Sequence, residues 1–176
     1  ISFMGIFDWL FGGSKNKTEG NYKDDKTEGL FKTYHKNGQL KTVIDHIDNK
    51  GVIYIKFYNE NGQLESEGNY NDGKQEGLCK HYHENGQLEQ EGNFKGGKEE
   101  GLYKHYHENG QLKQEGNYRV GVMEGLWKSY HENGQLQSET NLKDGKEEGL
   151  FKRYHENGQL KLEGKFKHGE KEELWK

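Results

Sequence analysis

The chain has 176 residues, 28% of them hydrophobic and 32% charged, too few apolar side chains to fill the core of a two-layer domain. A net charge of -4 and a pI near 6.2 exclude a general electrostatic pull toward nucleic acid or anionic lipid. The single cysteine, Cys79, excludes an internal disulfide framework and fits a reducing, cytoplasmic compartment.

Residues 1–18 differ in composition from everything after them. The stretch Met4 to Phe11 is apolar and is followed by Gly12-Gly13-Ser14-Lys15-Asn16-Lys17. It is shorter than the ~20 residues that span a bilayer. It also lacks a basic n-region and a small-residue cleavage site, so it reads poorly as a signal peptide. Phe7, Leu10 and Phe11 share one helical face, with Trp9 at its flank. Three readings stay open: a cap folded over the first strand that follows, a segment lying in a membrane interface, or a partner-binding peptide on a flexible tether.

From Glu19 onward the chain is periodic. Asn-Gly-Gln-Leu recurs at Asn37, Asn61, Asn85, Asn109, Asn133 and Asn157, each copy 24 residues after the last. Units begin at Glu19, Val43, Glu67, Glu91, Glu115 and Glu139, and a shortened seventh runs from Glu163 to Lys176. A strict period of this length marks an array, here residues 19–176, in which one supersecondary unit stacks on its neighbours. The glycines fall at fixed positions of the repeat, and the absence of proline suits continuous strand pairing.

Within the unit that starts at Glu91, dense glycine forbids a long helix. Two strand-like stretches remain, Leu102 to His107 and Gln111 to Tyr118. Turns at Glu108-Asn109-Gly110 and around Gly96-Gly97 join them into a meander of antiparallel hairpins. A two-residue turn would pair Lys104 with Glu115, whereas a three-residue turn with Gly110 left-handed pairs Tyr106 with Leu112. The second is preferred. It predicts one apolar face of Leu102, Tyr106, Leu112 and Tyr118, and one polar face of Tyr103, His105, His107, Lys113 and Glu115. The fold expected is all-β: an elongated, twisted, single-layer antiparallel sheet of stacked β-hairpins.

The aromatic slot after each repeat leucine holds Phe31, Ile55, Cys79, Tyr103, Trp127, Phe151 and Trp175. On the expected polar face this row becomes a docking stripe for a partner. Unit two is irregular and rich in branched residues, including Ile53, Ile55 and Phe57. It reads either as a patch for a partner or a second copy, or as local compensation for lost glycines. Periodic histidines sit about 9.6 Å apart in neighbouring units, too far to share a zinc ion, so no metal is expected. Lysines at Lys32, Lys56, Lys80, Lys104, Lys128, Lys152 and Lys176 are matched by Glu67, Glu91, Glu115, Glu139 and Glu163, and by Glu76, Glu100, Glu124 and Glu148. Cross-strand charge pairing accounts for them without nucleic acid. The carboxylates form no asymmetric pair, and no catalytic motif or cofactor signature stands out, so no enzyme is expected.

The pattern Glu-Gly-Asn-Tyr, Glu-Gly-Leu-aromatic-Lys, Tyr-His-Glu-Asn-Gly-Gln-Leu resembles the bacterial variant of MORN repeats, from Glu19 to Lys176. That resemblance implies the same elongated sheet. For function it implies a protein-interaction module, many bacterial members being assigned as antitoxin or immunity proteins, while the wider group is tied to scaffolding and membrane association. The expectation is therefore a non-catalytic protein that neutralises a partner toxin by occlusion. The alternative is a peripheral membrane scaffold anchored by Phe7, Trp9, Leu10 and Phe11.

Overall fold

The computed structural model describes residues 18–19, 22–23, 26–27, 30–46 and 51–172. The N-terminal segment with Phe7, Trp9, Leu10 and Phe11, and the last residue of the aromatic slot, Trp175, lie outside them.

Every regular element among these residues is a β-strand: β1 (Thr18–Glu19), β2 (Tyr22–Lys23), β3 (Lys26–Thr27), β4 (Phe31–Tyr34), β5 (Leu40–His46), β6 (Val52–Tyr58), β7 (Leu64–Asn71), β8 (Lys74–Tyr82), β9 (Leu88–Lys95), β10 (Lys98–Tyr106), β11 (Leu112–Arg119), β12 (Val122–Tyr130), β13 (Leu136–Lys143), β14 (Lys146–Tyr154), β15 (Leu160–Lys167) and β16 (Glu170–Lys171). Strands β2 and β3 pair with each other. The remaining strands form one 14-stranded antiparallel sheet in chain order, with β1 beside β4. The expected meander is the observed fold.

Two bulges per unit set its geometry. At the Asn-Gly turn, the Gly110 amide donates to the His107 carbonyl at 2.9 Å and Gly110 adopts φ 80°. Tyr106 then pairs with Leu112, as the three-residue turn requires. The register shifts by one immediately afterwards, so that His105 pairs with Gln114 and Lys104 with Glu115. Lys113 is the extra residue of a bulge, and both expected pairings occur in one hairpin. The second bulge lies on the other side of β10, where Glu99 pairs with Phe94 but Tyr103 with Gly92. Gly101 supplies it with φ 82°, and Gly77, Gly125 and Gly149 repeat the device. This bulge also corrects the expected strand start. The Glu-Gly dipeptide bends the strand without ending it, so β10 opens at Lys98.

Unit two shows what the glycine does. Ile53 stands at its position, and β5 pairs with β6 without a shift from Thr42–Phe57 to His46–Ile53. A β-branched residue resists positive φ, so the ladder runs straight and Ile53 turns inward.

The hairpin turns opposite the Asn-Gly edge have positive φ at both central residues, as at Asp144 and Gly145, the type I′ geometry that matches strand twist. Val120 holds this place in one turn with φ 54° and is 58% exposed. A left-handed conformation costs a β-branched residue about 1–2 kcal/mol. We expect Val120→Asn to stabilise the protein by about 1 kcal/mol, read as a higher urea midpoint at unchanged m-value.

Units three, four and five are stitched to the next at both edges, unit one at the Asn-Gly edge and unit six at the opposite one. His35, His83, His107 and His131 donate from Nε2 to the carbonyls of Tyr58, Tyr106, Tyr130 and Tyr154 at 2.8–3.1 Å. Asn37, Asn85, Asn109 and Asn133 donate from Nδ2 to the carbonyls of Glu60, Glu108, Glu132 and Glu156. At the other edge, Glu76, Glu100, Glu124 and Glu148 accept from the amides of Gly96, Val120, Asp144 and His168. Those four carboxylates were expected to pair with lysines; they cap the next turn, 20 residues on, because that turn leaves an amide without a ladder partner.

Candidate functional site

The bulges decide which residues share a face. Tyr103, His105, Gln114, Gly116 and Tyr118 lie together on one face, the aromatic face. Leu102, Lys104, Tyr106, Leu112 and Glu115 lie on the other, the ladder face. Leucine and tyrosine were expected together, but Tyr118 falls opposite Leu102, because a register carried through from Tyr106–Leu112 takes no account of the extra residue Lys113.

The buried and open faces are also reversed from expectation. Phe31, Ile55, Cys79 and Trp127 are buried, with Ile55 fully so, and Tyr103 and Phe151 are half-buried. Their row runs down the middle of the aromatic face, between glycines that make room for them. A methyl group on Gly116 would lie 2.2 Å from the Trp127 ring. Trp127 packs on Tyr118 at 5.1 Å and Tyr103 at 6.2 Å between ring centroids, and its Nε1 donates to the Asn117 carbonyl at 3.2 Å. Phe151 meets Phe166 edge-on at 5.7 Å. Around unit two, Phe31, Ile44, Ile53 and Ile55 form a buried cluster with Phe57 and Tyr70 packed against it. The residues expected to dock a partner, Phe31, Ile53, Ile55, Phe57, Tyr103, Trp127 and Phe151, thus build the core of a one-layer sheet. Two buried branched residues of unit two, Ile44 and Ile53, stand where most other units have glycine. Cys79 belongs to the same row, where burial pushes its thiol up to about 11.

The ladder face carries alternating charge. Residues Lys56, Glu67, Lys80, Glu91, Lys104, Glu115, Lys128, Glu139, Lys152 and Glu163 pair in unbroken register across the strands. The tightest ion pair is Lys56 Nζ to Glu67 Oε2 at 3.2 Å. Exposed pairs of this kind contribute little individually. The shorter contacts are hydrogen bonds from tyrosine, Tyr82 to Glu67 at 2.6 Å, Tyr106 to Glu91 at 2.9 Å and Tyr130 to Glu115 at 2.7 Å.

These contacts make stability depend on pH at both ends. Burial and then the hydrogen-bonded carboxylates push Tyr106 and Tyr130 up from 10.0 to about 12. A raised phenol stabilises the fold below its unfolded value, and that stability is lost as pH climbs through the folded one. Burial works to raise Glu67, but hydrogen bonds from Tyr54, Tyr82 and Lys56 outweigh it and hold the carboxyl below its ordinary 4.5. Its contribution is present above that value and lost as pH falls through the lower folded one. With the Cys79 thiol also raised from 9.0 and burial holding His105 below its ordinary 6.5, we expect the urea midpoint to be flat between about pH 7 and 9 and to fall on either side, with Tyr130→Phe reducing the fall at the alkaline end.

Beside the ladder runs the row that sequence reasoning placed inside. Leu30, Leu78, Leu102, Leu126 and Leu150 are 44–51% exposed, and from Leu78 onward they are spaced about 9.6 Å apart by the two-strand repeat, Tyr54 taking the position in unit two. The signal that could have found them was the fixed Gly-Leu dipeptide. A glycine bulge re-aims the residue after it, and here that residue is a leucine aimed at solvent.

A family model described as MORN repeat variant matches residues 27–48, 54–72, 75–95, 99–119, 123–144 and 147–168, the described hairpins in sequence. The chain belongs to the MORN repeat variant family. MORN repeats make it a binding or scaffold module. No curated protein matches it. Among solved structures it is similar at 10% identity to TarM, over 68% of this chain and 22% of TarM, with a TM-score of 0.42. A mutant of S. aureus TarM in complex with Fondaparinux, alpha-GlcNAc-glycerol and UDP is similar at 13% identity, over 84% and 24% of the two chains, with a TM-score of 0.34. A protein from Bacteroides fragilis is similar at 10% identity, over 89% and 96%, with a TM-score of 0.22. The MORN chain thus spans under a quarter of TarM's length.

Along the Asn-Gly edge, open hollows of about 660, 490 and 450 Å³ lie among the described residues, lined mainly by residues of units six, five and four in turn. No group of three or more His, Cys, Asp or Glu among the described residues could hold a metal ion. No helix among them is long and apolar enough to cross a membrane.

Proposed function

We propose that this MORN array is a non-catalytic protein-interaction module that seats a protein partner on its ladder face, along Leu78, Leu102, Leu126 and Leu150. The observation that carries this reading is the row of half-exposed leucines, one in each of units three to six. The hairpin needs a side chain there but not an apolar one, and a bare apolar row is favourable only when covered. The alternating lysines and glutamates beside it would fix the partner's register. The most concrete partner is a toxin neutralised by occlusion, a reading supported by the resemblance of the Tyr-His-Glu-Asn-Gly-Gln-Leu units to bacterial relatives assigned as antitoxins.

The test is capture from a lysate of the native host with the wild type and with Leu102→Lys/Leu126→Lys. A stoichiometric partner held by the wild type and lost by the variant, at unchanged circular dichroism, supports the proposal. Equal capture by both sinks it. The rival, a peripheral membrane scaffold, is supported by the apolar composition of Phe7, Trp9, Leu10 and Phe11. Liposome flotation with residues 4–11 deleted decides it, since undiminished flotation removes the anchor.

A further inference from the structure

We propose that the sixth unit carries a binding site for an oxyanion, a carboxylate or a phosphate group, centred on Arg153 in the hollow of about 660 Å³. Arg153 pairs with Ser138 on one side and Leu162 on the other, on the face opposite the leucine row. The same position in earlier units holds Thr33, Phe57, His81, His105 and Ser129. The hairpin is built with any of these, so its geometry does not call for a guanidinium. Arg153 is one of two arginines in a chain that otherwise takes its positive charge from lysine.

The second cation comes from the bulge. Lys161 occupies the extra-residue position that is Glu65, Glu89 and Gln137 in units two, three and five. Unit four has Lys113 there, but it sits beside His105, and its hollows also take in Glu132. Of these hollows, the one of unit six is lined by both a guanidinium and an ammonium, with Glu156 the one carboxylate among its lining residues. Among the described residues neither cation has an ion-pair partner. Asn157, Gln159 and His155 line the same hollow with further donors. The planar fork of arginine takes two oxygens of a carboxylate or phosphate at once, and a neighbouring ammonium adds a point charge. Such a site would anchor an acidic side chain or a phosphate group along the Asn-Gly edge. It is independent of the ladder face, so each reading can fail without the other.

The experiment is a chemical-shift titration of the full chain with inorganic phosphate and, separately, with a short polyglutamate peptide. Saturable shifts at the amides around Arg153, Lys161 and His155 are expected, with binding weakened about tenfold or more in Arg153→Gln. Arg153→Lys keeps the charge but loses the fork, and is expected to fall between the two. Lys113→Gln is expected to leave binding unchanged. Tighter binding of phosphate marks a phosphate site and tighter binding of the peptide marks an acidic segment. Shifts spread evenly over the hollows of units four to six, or undiminished in Arg153→Gln, would overturn the site.

Discussion

Trp127→Ala is expected to destabilise the protein by about 3–5 kcal/mol, the usual cost of emptying a fully buried aromatic site. Trp127 is 3% exposed, packs on two tyrosine rings and uses its Nε1 on a backbone carbonyl. A one-layer sheet has no second layer to collapse into the gap, so relaxation recovers little of the loss. The mirror-image change, Gly116→Ala, drives a methyl group against the same ring and is expected to cost about 1–3 kcal/mol by overpacking. For a chain of this length the tryptophan loss corresponds to a fall in Tm of about 10 °C or more, checked by calorimetry. Because each unit contacts only its neighbours, the damage is expected to concentrate in units four to six, with faster amide exchange there than in units two and three. A Trp127→Ala variant of undiminished stability would return the aromatic row to the surface and reverse the assignment of the faces.

Leu102→Lys/Leu126→Lys is expected to do the opposite: abolish partner binding and leave the fold intact. Each leucine is about half exposed in the free protein, so a lysine there keeps its charge in water at little cost. Covered by a partner, each half-exposed leucine would contribute about 0.7–1.5 kcal/mol of further burial, half of the full-burial value. Removing two weakens binding by about 10- to 100-fold, at 1.4 kcal/mol per factor of ten. The quantity to measure is the Kd for the captured partner beside the Tm of the free variant. Loss of both together would mean that the leucines serve the fold.

The two predictions divide the residues differently from the sequence reading, which put Trp127 at the interface and Leu102 in the core. The fold was legible because its signals are local. Asn-Gly-Gln-Leu at a 24-residue period names a turn, its left-handed glycine and the leucine that follows, and the Tyr106–Leu112 pair is read from that turn alone. The Lys–Glu ladder was legible for the same reason, since neighbouring strands repeat their charges. The exposed leucine row was not. Face assignment rests on counting in twos along a strand, and the bulge at Lys113 inserts one residue without a partner and inverts the count beyond it, whereas the glycine bulge shifts the register by two and preserves it.

Sequence by itself therefore determined the unit, its period, its hairpin turns and the alternating charge of one face, all consequences of spacing within a few residues. Tertiary structure alone decided which face is the core. The bulge at Lys113 sends Tyr118 to the side of Tyr103 and Trp127, opposite Leu102, and the glycine that accepts the Trp127 ring, Gly116, belongs to the neighbouring strand. It also decided that the second set of glutamates caps turns 20 residues away, because stacking of units brings an orphan amide to each carboxylate. Burial in a one-layer sheet is a property of neighbouring strands, and no single unit contains it.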